Sequence, residues 1–326
     1  MRTINLVLWD NGVGLTRDMR ILRELWSTPD SDVFVSAKRR GTLRKWLDPM
    51  RLKMRTAFQQ MRGYDRSGRF SYNVMLEHVR PEYLALAKRN VLVPNPEWMD
   101  ETDGQVMDRI DLVLTKTRHA QEIFGGLNCE TRYMGFTSED RLDSAVPREC
   151  KFFHLAGRSV LKGTDALLEL WQRHPEWPQL TVVQHPKVAK KVGVAANIRH
   201  RIEYLSDRDL RRLQNSHAFH LCPSETEGFG HSLVEAMSVG AVTITVDAPP
   251  MNEIVGPDRG LPVACARSEK RGLATLYFFD TDAMERAITA AINMDFDERS
   301  RIGKAARTWF ENNDAEFRAR ARIVLS

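Results

Sequence analysis

Cysteine is scarce in this chain, and its positions do not suit metal or redox chemistry. The 326 residues include four cysteines, Cys129, Cys150, Cys222 and Cys265. No two of them form the Cys-x-x-Cys pair that is typical of zinc sites and thiol–disulfide enzymes. We therefore expect ordinary reduced thiols.

Long apolar runs are absent as well. No segment approaches the roughly 20 apolar residues that a membrane-spanning helix needs. Residues 1–9 predict a first strand rather than a signal peptide, and the sequence has no internal repeat or low-complexity tract. With 42% hydrophobic and 28% charged residues, the composition is that of a globular protein long enough for two domains. We expect a cytoplasmic location.

A third glycine is missing from the turn after the first strand. Asp10-Asn11-Gly12-Val13-Gly14 precedes a predicted helix, but a dinucleotide-binding fingerprint needs a further glycine. A dehydrogenase is therefore not favoured. From the residues alone, this segment is either a ligand-binding loop or a plain tight turn.

The most informative segment is residues 223–237, Pro-Ser-Glu-Thr-Glu-Gly-Phe-Gly-His-Ser-Leu-Val-Glu-Ala-Met. It follows a short apolar strand, Gly228 and Gly230 allow a tight turn, and the apolar positions beyond them predict a helix. The N–H groups at a helix start suit a phosphate. Glu227 and Glu235 can accept hydrogen bonds from sugar hydroxyls. The segment therefore predicts a nucleotide-sugar site.

This segment resembles the donor-site signature of glycosyltransferase family 4, the group 1 glycosyl transferases, which are retaining enzymes of the GT-B fold. Glu235 stands eight positions after Glu227, as in that signature. The resemblance implies that Glu227 holds the transferred sugar and that Glu235 holds the ribose hydroxyls. It also places five further donor-binding residues in the turn and helix start: Phe229, Gly230, His231, Ser232 and Leu233.

A second segment resembles the Gly-Arg…Lys-Gly loop of the same family. Residues 151–156 predict a strand, residues 157–163 a loop, and Thr164 a cap for a helix over 166–171. The resemblance implies that Arg158 and Lys162 hold the donor diphosphate. Fixed cations suit that position because bond cleavage leaves negative charge on the departing nucleoside diphosphate.

Strands and helices alternate along the chain, which predicts an α/β protein with parallel sheets. We expect strands near residues 4–9, 33–36, 72–78, 90–94, 112–115, 129–133, 152–156, 180–184, 202–205, 218–222, 242–245 and 260–263. The polar stretch 137–149 is the best linker. We expect a GT-B fold, with Rossmann-like domains at 1–146 (acceptor side) and 147–326 (donor side) facing each other across a cleft. By resemblance, the last helix crosses back to the first domain.

The first domain carries weaker signals. The resemblance implies that Gly12 and Gly14 form the first glycine-rich loop of a GT-B enzyme and that His78 touches the donor sugar, although a lone histidine is often structural. Asn95 and Glu97 follow the next strand. They are either acceptor-binding residues or part of a proline-stiffened turn.

Metal-binding patterns occur but are unspecific. Asp-x-Asp appears at residues 30–32, 207–209, 280–282 and 295–297, and no match lies beside the phosphate loop. Since Arg158 and Lys162 already neutralise the leaving group, we predict no obligatory metal and no cofactor besides the nucleoside diphosphate sugar.

Positive charge is concentrated in residues 38–69, which hold eleven basic and two acidic residues, while the whole chain has a net charge of +5. Apolar residues there recur at helical spacing, so the segment predicts a basic amphipathic helix. Arg51 and Arg55 are candidate acceptor-binding residues. Such a helix suits a membrane surface, an anionic acceptor or nucleic acid, or it packs on its domain with solvated arginines.

Together these features favour a retaining, metal-independent hexosyltransferase that moves a sugar from a nucleoside diphosphate to a hydroxyl acceptor. An anionic glycolipid or saccharide at the inner membrane surface is the favoured acceptor, and modified phage-type DNA is the alternative. Two other classes stay open: a GT-B epimerase or phosphorylase, and a non-catalytic carbohydrate- or nucleic-acid-binding descendant.

Overall fold

The computed structural model describes residues 2–10, 12, 14–39, 68–127, 129–190 and 195–325. The chain forms two compact units, one of Met1–Gly135 with Phe317–Ser326 and one of Phe136–Glu316. The sequence-based boundary was residue 146. In the structure, residues 136–146 are part of the second unit.

The first unit is built on a parallel sheet of six strands in the order β2-β1-β3-β4-β5-β6. Its strands are β1 (Arg2–Asp10), β2 (Ser31–Arg39), β3 (Phe70–Glu77), β4 (Ala87–Pro94), β5 (Leu112–Thr115) and β6 (Thr131–Tyr133). Its helices are α1 (Gly14–Trp26), α2 (Glu101–Gly104) and α3 (Arg118–Gly125), with 3-10 turns at Pro81–Leu86, Pro96–Trp98 and Met107–Arg109. The strand order reverses between β1 and β3, where an open α/β sheet leaves a crevice at its carboxyl edge.

The second unit repeats this plan with the strand order β12-β11-β10-β7-β8-β9. Its strands are β7 (Glu149–Gly157), β8 (Leu180–Gln184), β9 (Ile198–Ile202), β10 (His217–Cys222), β11 (Val242–Val246) and β12 (Leu261–Val263). Its helices are α4 (Thr164–Gln172), α5 (Asp207–Ser216), α6 (His231–Ser238), α7 (Met251–Ile254), α8 (Thr281–Asn293) and α9 (Phe296–Ile323). Here the order reverses between β7 and β10.

The core strands are apolar because helices cover both faces of a parallel sheet. In the second unit, β8, β10 and β11 are buried along their whole length. Phe152 of β7 stacks on Phe219 of β10 with ring centroids 4.8 Å apart, and Trp171 of α4 packs edge-on against Phe152 at 5.0 Å. The core therefore fixes the strand ends that carry the loops of the site.

Two local predictions were wrong, and one element was missed. The strand expected at 202–205 is Ile198–Ile202. Thr164 does not cap α4: it is the first helical residue, Gly163 holds the cap position, and the buried Thr164 hydroxyl instead bonds His154. An antiparallel hairpin of β13 (Cys265–Arg271) and β14 (Ala274–Phe279) was missed, although Gly272, with φ of 59°, marks its turn.

The last helix, α9, runs from the second unit into the residues that complete the first. The carbonyl of Ala321 accepts a hydrogen bond from Trp26 Nε1 at 2.8 Å, and Arg320 Nε donates to the carbonyl of Met134 at 3.0 Å. Within the part of the chain that the structure describes, no helix combines the length and apolar character required to cross a membrane.

Candidate functional site

Two loops of the second unit meet where its strand order reverses. One follows β7 and leads to α4, and the other follows β10 and leads to α6. Glu225 N donates to the carbonyl of Leu161 at 3.0 Å, which joins the loops directly. In turn, Tyr277 N of β14 donates to the carbonyl of Glu225 at 2.7 Å. The missed hairpin therefore supports one of the two loops.

Gly163 lets the two loops approach each other closely. Its φ of +61° is in the left-handed region, and a Cβ atom there would lie 2.4 Å from the carbonyl oxygen of Pro223. Any other residue would be strained in this backbone conformation and would also push the loops apart. Glycine is thus required here for both reasons.

A buried histidine fixes the base of the same loops. His154 Nδ1 lies 2.8 Å from the carbonyl of Leu221, and its Nε2 lies 2.9 Å from Thr164 Oγ1. Because a carbonyl only accepts, Nδ1 carries the proton and Nε2 accepts from the threonine. Burial lowers the pKa of His154 to about 4, so this histidine is neutral at physiological pH and joins β7, β10 and α4.

Lys162, Glu227 and Ser232 form the polar centre of the site. Lys162 Nζ is paired with Glu227 Oε1 and donates to Ser232 Oγ at 3.1 Å. Ser224 Oγ donates to the same Glu227 oxygen at 2.6 Å. The Lys162 and Glu227 side chains are 15% and 13% exposed. The structure thus brings together three residues that the sequence predicted for the site.

Aromatic side chains surround the start of α6. The ring of Phe136 lies edge-on to Phe229 and to His231, with centroids 5.4 and 6.1 Å apart. His231 Nδ1 is 2.6 Å from Ser138 Oγ. Gly230, with φ of +102°, holds the N-cap position of α6, and the Leu233 side chain packs beneath it. Among the described residues, no side chain caps this helix.

Glu235 is buried in α6. It is 1% exposed, and its Oε2 accepts from Gln214 Nε2 of α5 at 2.7 Å. Gln214 Oε1 in turn accepts from Arg141 Nε at 3.0 Å. Arg158 is exposed in the loop after β7.

In the first unit, the turn after β1 is organised by an aspartate. Gly12 N donates to Asp10 Oδ1 at 3.0 Å, and Thr16 Oγ1 bonds the same oxygen. Gly12 has a φ of +73°, whereas Gly14 does not, and the space around both is open. The loop therefore leads into α1 as expected.

His78 lies at the carboxyl end of β3 and is bonded to Asp103 of α2, with Nδ1 2.7 Å from Asp103 Oδ2. The preceding residue, Glu77, has a φ of 73°, which is uncommon for a residue with a side chain. Asn95 Nδ2 donates to Glu77 Oε1 at 3.4 Å, and Asn95 Oδ1 accepts from the buried Lys116 at 2.7 Å. His78 Nε2 lies 3.8 Å from Glu77 Oε2, so His78 and Asn95 are both neighbours of Glu77. Glu97 is half-buried in the adjacent 3-10 turn.

The Asp-x-Asp matches have structural explanations at three helix starts. Asp280 caps α8 by accepting from Ala283 N at 2.8 Å, Asp209 N donates to the α5 cap Ser206, and Asp295 accepts from Glu298 N at 2.8 Å. A different group, His78, Asp100 and Asp103, has ligand atoms within 4.8 Å of one another. Asp100 and Asp103 form the capping box of α2, and that role accounts for their proximity.

Arg51 and Arg55, with most of the basic segment 38–69, lie outside the described residues.

The family comparison supports the signature that the sequence suggested. Residues 162–309 match the family model described as glycosyl transferases group 1. The match begins at Lys162 and includes Glu227 of the loop after β10 and Glu235 of α6. The chain is a glycosyltransferase with the GT-B fold. The predicted resemblance and fold class are thereby confirmed.

Solved structures share the fold over nearly the whole chain. Sucrose-phosphate synthase from Thermosynechococcus elongatus has a TM-score of 0.71 at 15% identity, covering 97% of this chain and 96% of its own. HepE from Anabaena has a TM-score of 0.66 at 14% identity, covering 96% and 95%. A chain of the GtfA/B complex has a TM-score of 0.56 at 16% identity, and the match covers 78% of this chain but 56% of that one. No similar sequence was found among curated proteins.

Sequence reasoning missed several residues that contact the predicted site residues of this glycosyltransferase. Gln214 contacts Glu235, Ser138 contacts His231, and Asp103 contacts His78. Asp103 carried a usable signal, because Asp100 and Asp103 stand at capping-box spacing. Gln214 had no such local signal, since its partners are 21 and 73 residues away in sequence.

Proposed function

We propose that this glycosyltransferase moves a sugar from a nucleoside diphosphate sugar to a hydroxyl acceptor with retention of configuration. The observation that carries the proposal is the arrangement of Lys162, Glu227 and Ser232 beside the start of α6. A cation, a carboxylate and a helix start together suit a diphosphate linked to a sugar. HepE, which shares the fold, has been crystallised with UDP and with UDP-glucose.

The geometry of Lys162 supports a role with the diphosphate. An ammonium group has three N–H donors, and two of them are directed to Glu227 and Ser232. The third has no partner among the described residues, so a phosphate oxygen can be added without breaking the existing bonds. We assign Lys162 and the exposed Arg158 to the leaving diphosphate, where their charge stabilises the transition state.

Glu227 is assigned to the transferred sugar and Glu235 to the ribose hydroxyls. Glu227 is held by Ser224 as well as by Lys162, so its carboxylate is pre-oriented. Phe229, Gly230, His231, Ser232 and Leu233 form the turn around the donor. In the first unit, Gly12, Gly14 and His78 are assigned to the donor, and Asn95 and Glu97 to the acceptor.

No cofactor or metal is assigned to the reaction, because the two cations supply the charge that a metal would. For retention, we propose that the leaving phosphate takes the acceptor proton on the face that it leaves. Proton NMR of the product tests this step, since an inverted anomer contradicts it.

The main experiment is thermal unfolding with a panel of nucleoside diphosphates and their sugars. A ligand at 100 times its Kd stabilises the native state by about 2.7 kcal/mol, so the correct donor raises the Tm. Lys162→Ala should reduce this shift. Lys190→Ala is the matched control, because Lys190 also pairs with a carboxylate of the second unit, Asp165, but on the exposed surface. A panel without any shift contradicts the proposal.

For the acceptor we propose an anionic glycolipid or saccharide, with peripheral contact to the inner membrane surface and a cytoplasmic location. The support is the charge of residues 38–69, including Arg51 and Arg55. Co-sedimentation with anionic vesicles tests it, and making Met50 and Phe58 polar should weaken that binding. A mobility-shift series with DNA is the comparison, because binding to nucleic acid falls steeply with salt.

A further inference from the structure

The buried carboxylate of Glu235 accepts a hydrogen bond from a side-chain amide of α5. At 1% exposure, a carboxylate loses most of its hydration, and that loss is costly unless hydrogen bonds replace the water. Gln214 Nε2 donates to Glu235 Oε2 at 2.7 Å, and Gln214 itself is 2% exposed. The pair is thus a buried contact between α5 and α6.

The orientation of that amide is set by Arg141. An amide can present either its oxygen or its NH₂ group to a neighbour, but a guanidinium only donates. Arg141 Nε donates to Gln214 Oε1 at 3.0 Å. The amide oxygen must therefore face Arg141, so the NH₂ group faces Glu235. Glu235 Oε2 is therefore the acceptor in this contact.

Arg141 and Gln214, which form a relay of hydrogen bonds to Glu235, are each held by further contacts. Arg141 is 2% exposed, its NH1 pairs with Asp207 Oδ1 at 2.8 Å, and its backbone N donates to Ser238 Oγ at 3.1 Å. The carbonyl of Gln214 accepts from Nε2 of the buried His220 at 2.9 Å. These contacts hold the Arg141 guanidinium and the Gln214 backbone in place.

We propose that Gln214 and Arg141 are positioning residues for the donor nucleotide, which hold the Glu235 carboxylate as an oriented acceptor for ribose hydroxyls. This inference rests on the proposed function, because Glu235 is assigned there to the ribose. Neither residue touches the nucleotide: Gln214 acts through Glu235, and Arg141 acts through Gln214.

The decisive substitution is Gln214→Glu, which keeps the size of the side chain and the acceptor for Arg141 but replaces the donor to Glu235 by an acceptor. Gln214→Glu combined with Glu235→Gln is the second variant. It keeps every hydrogen bond of the relay and protects folding, but it moves the negative charge from position 235 to position 214. Gln121→Glu is the control, because Gln121 Oε1 also accepts from an arginine, Arg118, at 3.0 Å on the surface of the first unit.

Calorimetry with UDP, ADP and GDP identifies the nucleotide that the wild type binds best, and its 2′-deoxy and 3′-deoxy forms are then measured. In the wild type and in Gln121→Glu, loss of the bonded hydroxyl should weaken binding by about 10- to 100-fold, the range for a hydrogen bond to a charged group. In Gln214→Glu and in the double variant, the intact nucleotide should bind at least about tenfold more weakly and the hydroxyl penalty should nearly disappear. A purely structural role would instead weaken intact and deoxy forms equally.

The outcomes separate this inference from the proposed function. An unchanged hydroxyl penalty in Gln214→Glu overturns the inference while the proposed function stands. Wild-type affinity in the double variant overturns the inference together with the assignment of Glu235 to the ribose, but not the proposed sugar transfer. Wild-type binding without any hydroxyl penalty also overturns the inference, because Glu235 then does not serve the ribose. If the wild type binds none of the three nucleotides, the proposed function fails and the inference fails with it.

Discussion

Replacing Gly163 by alanine tests how closely the two loops of the site approach each other. Gly157 ends β7 and Gly163 ends the loop that follows it, with φ values of +57° and +61°. A Cβ at Gly163 would lie 2.4 Å from the carbonyl oxygen of Pro223, whereas a Cβ at Gly157 would have no atom within 4 Å. Gly157→Ala is therefore a matched control that shares the backbone strain but lacks the steric clash.

The backbone strain and the steric clash set the expected losses in the free energy of unfolding. An L-residue in the left-handed region destabilises the fold by about 1–2 kcal/mol. Replacing glycine by alanine also stabilises the fold by about 0.4–1 kcal/mol, because the unfolded chain loses conformational freedom. Gly157→Ala should thus lower the free energy of unfolding by roughly 1 kcal/mol. Gly163→Ala adds a clash with backbone, which for overpacked sites costs about 1–3 kcal/mol, so its total loss should be about 2–4 kcal/mol.

Urea unfolding followed by tryptophan fluorescence measures the difference. Both substitutions lie in the second unit, so both act on the same transition, and the shift between their midpoints isolates the clash. The Gly163→Ala midpoint should be clearly lower than that of Gly157→Ala. Equal midpoints would refute the reasoning, because they would mean that the Pro223 carbonyl does not confine position 163.

Three further predictions concern catalysis and pH. Lys162→Ala should lower turnover more than donor affinity, because leaving-group charge is greatest late in bond cleavage; equal losses would indicate ground-state binding. Sugar transfer should survive EDTA, and loss that manganese restores would contradict the assignment of side-chain cations. Burial lowers the pKa values of His154 and His220 to about 4 and about 3, below the unfolded value of 6.5, so the unfolded chain binds more protons as pH falls. Stability should therefore drop from pH 7 to pH 5, by about 2 kcal/mol per histidine, and a flat urea midpoint would argue against neutral burial.

Much of the fold was predictable because its signals are local. Apolar runs separated by polar turns located nearly all strands of the two parallel sheets, and buried strands produce such runs wherever helices cover both faces. The strand at 198–202 was misplaced because Ile198-Arg-His-Arg-Ile202 has little apolar character. The hairpin β13–β14 was missed because its first strand is mostly polar and exposed.

The candidate site also has one part that local sequence predicted and another part that it did not. The sequence by itself determined the two loops, because Gly163, Gly230, Lys162 and Glu227 stand in short strings in which spacing alone sets a turn, a helix start and the charges beside them.

Only the tertiary structure decided which side chains meet. The pairing of Gln214 with Glu235, the orientation of that amide by Arg141, and the pairing of His78 with Asp103 join residues from different elements. Such contacts depend on the order of strands in the sheet and on helix packing. A single sequence does not encode those relations in any local pattern.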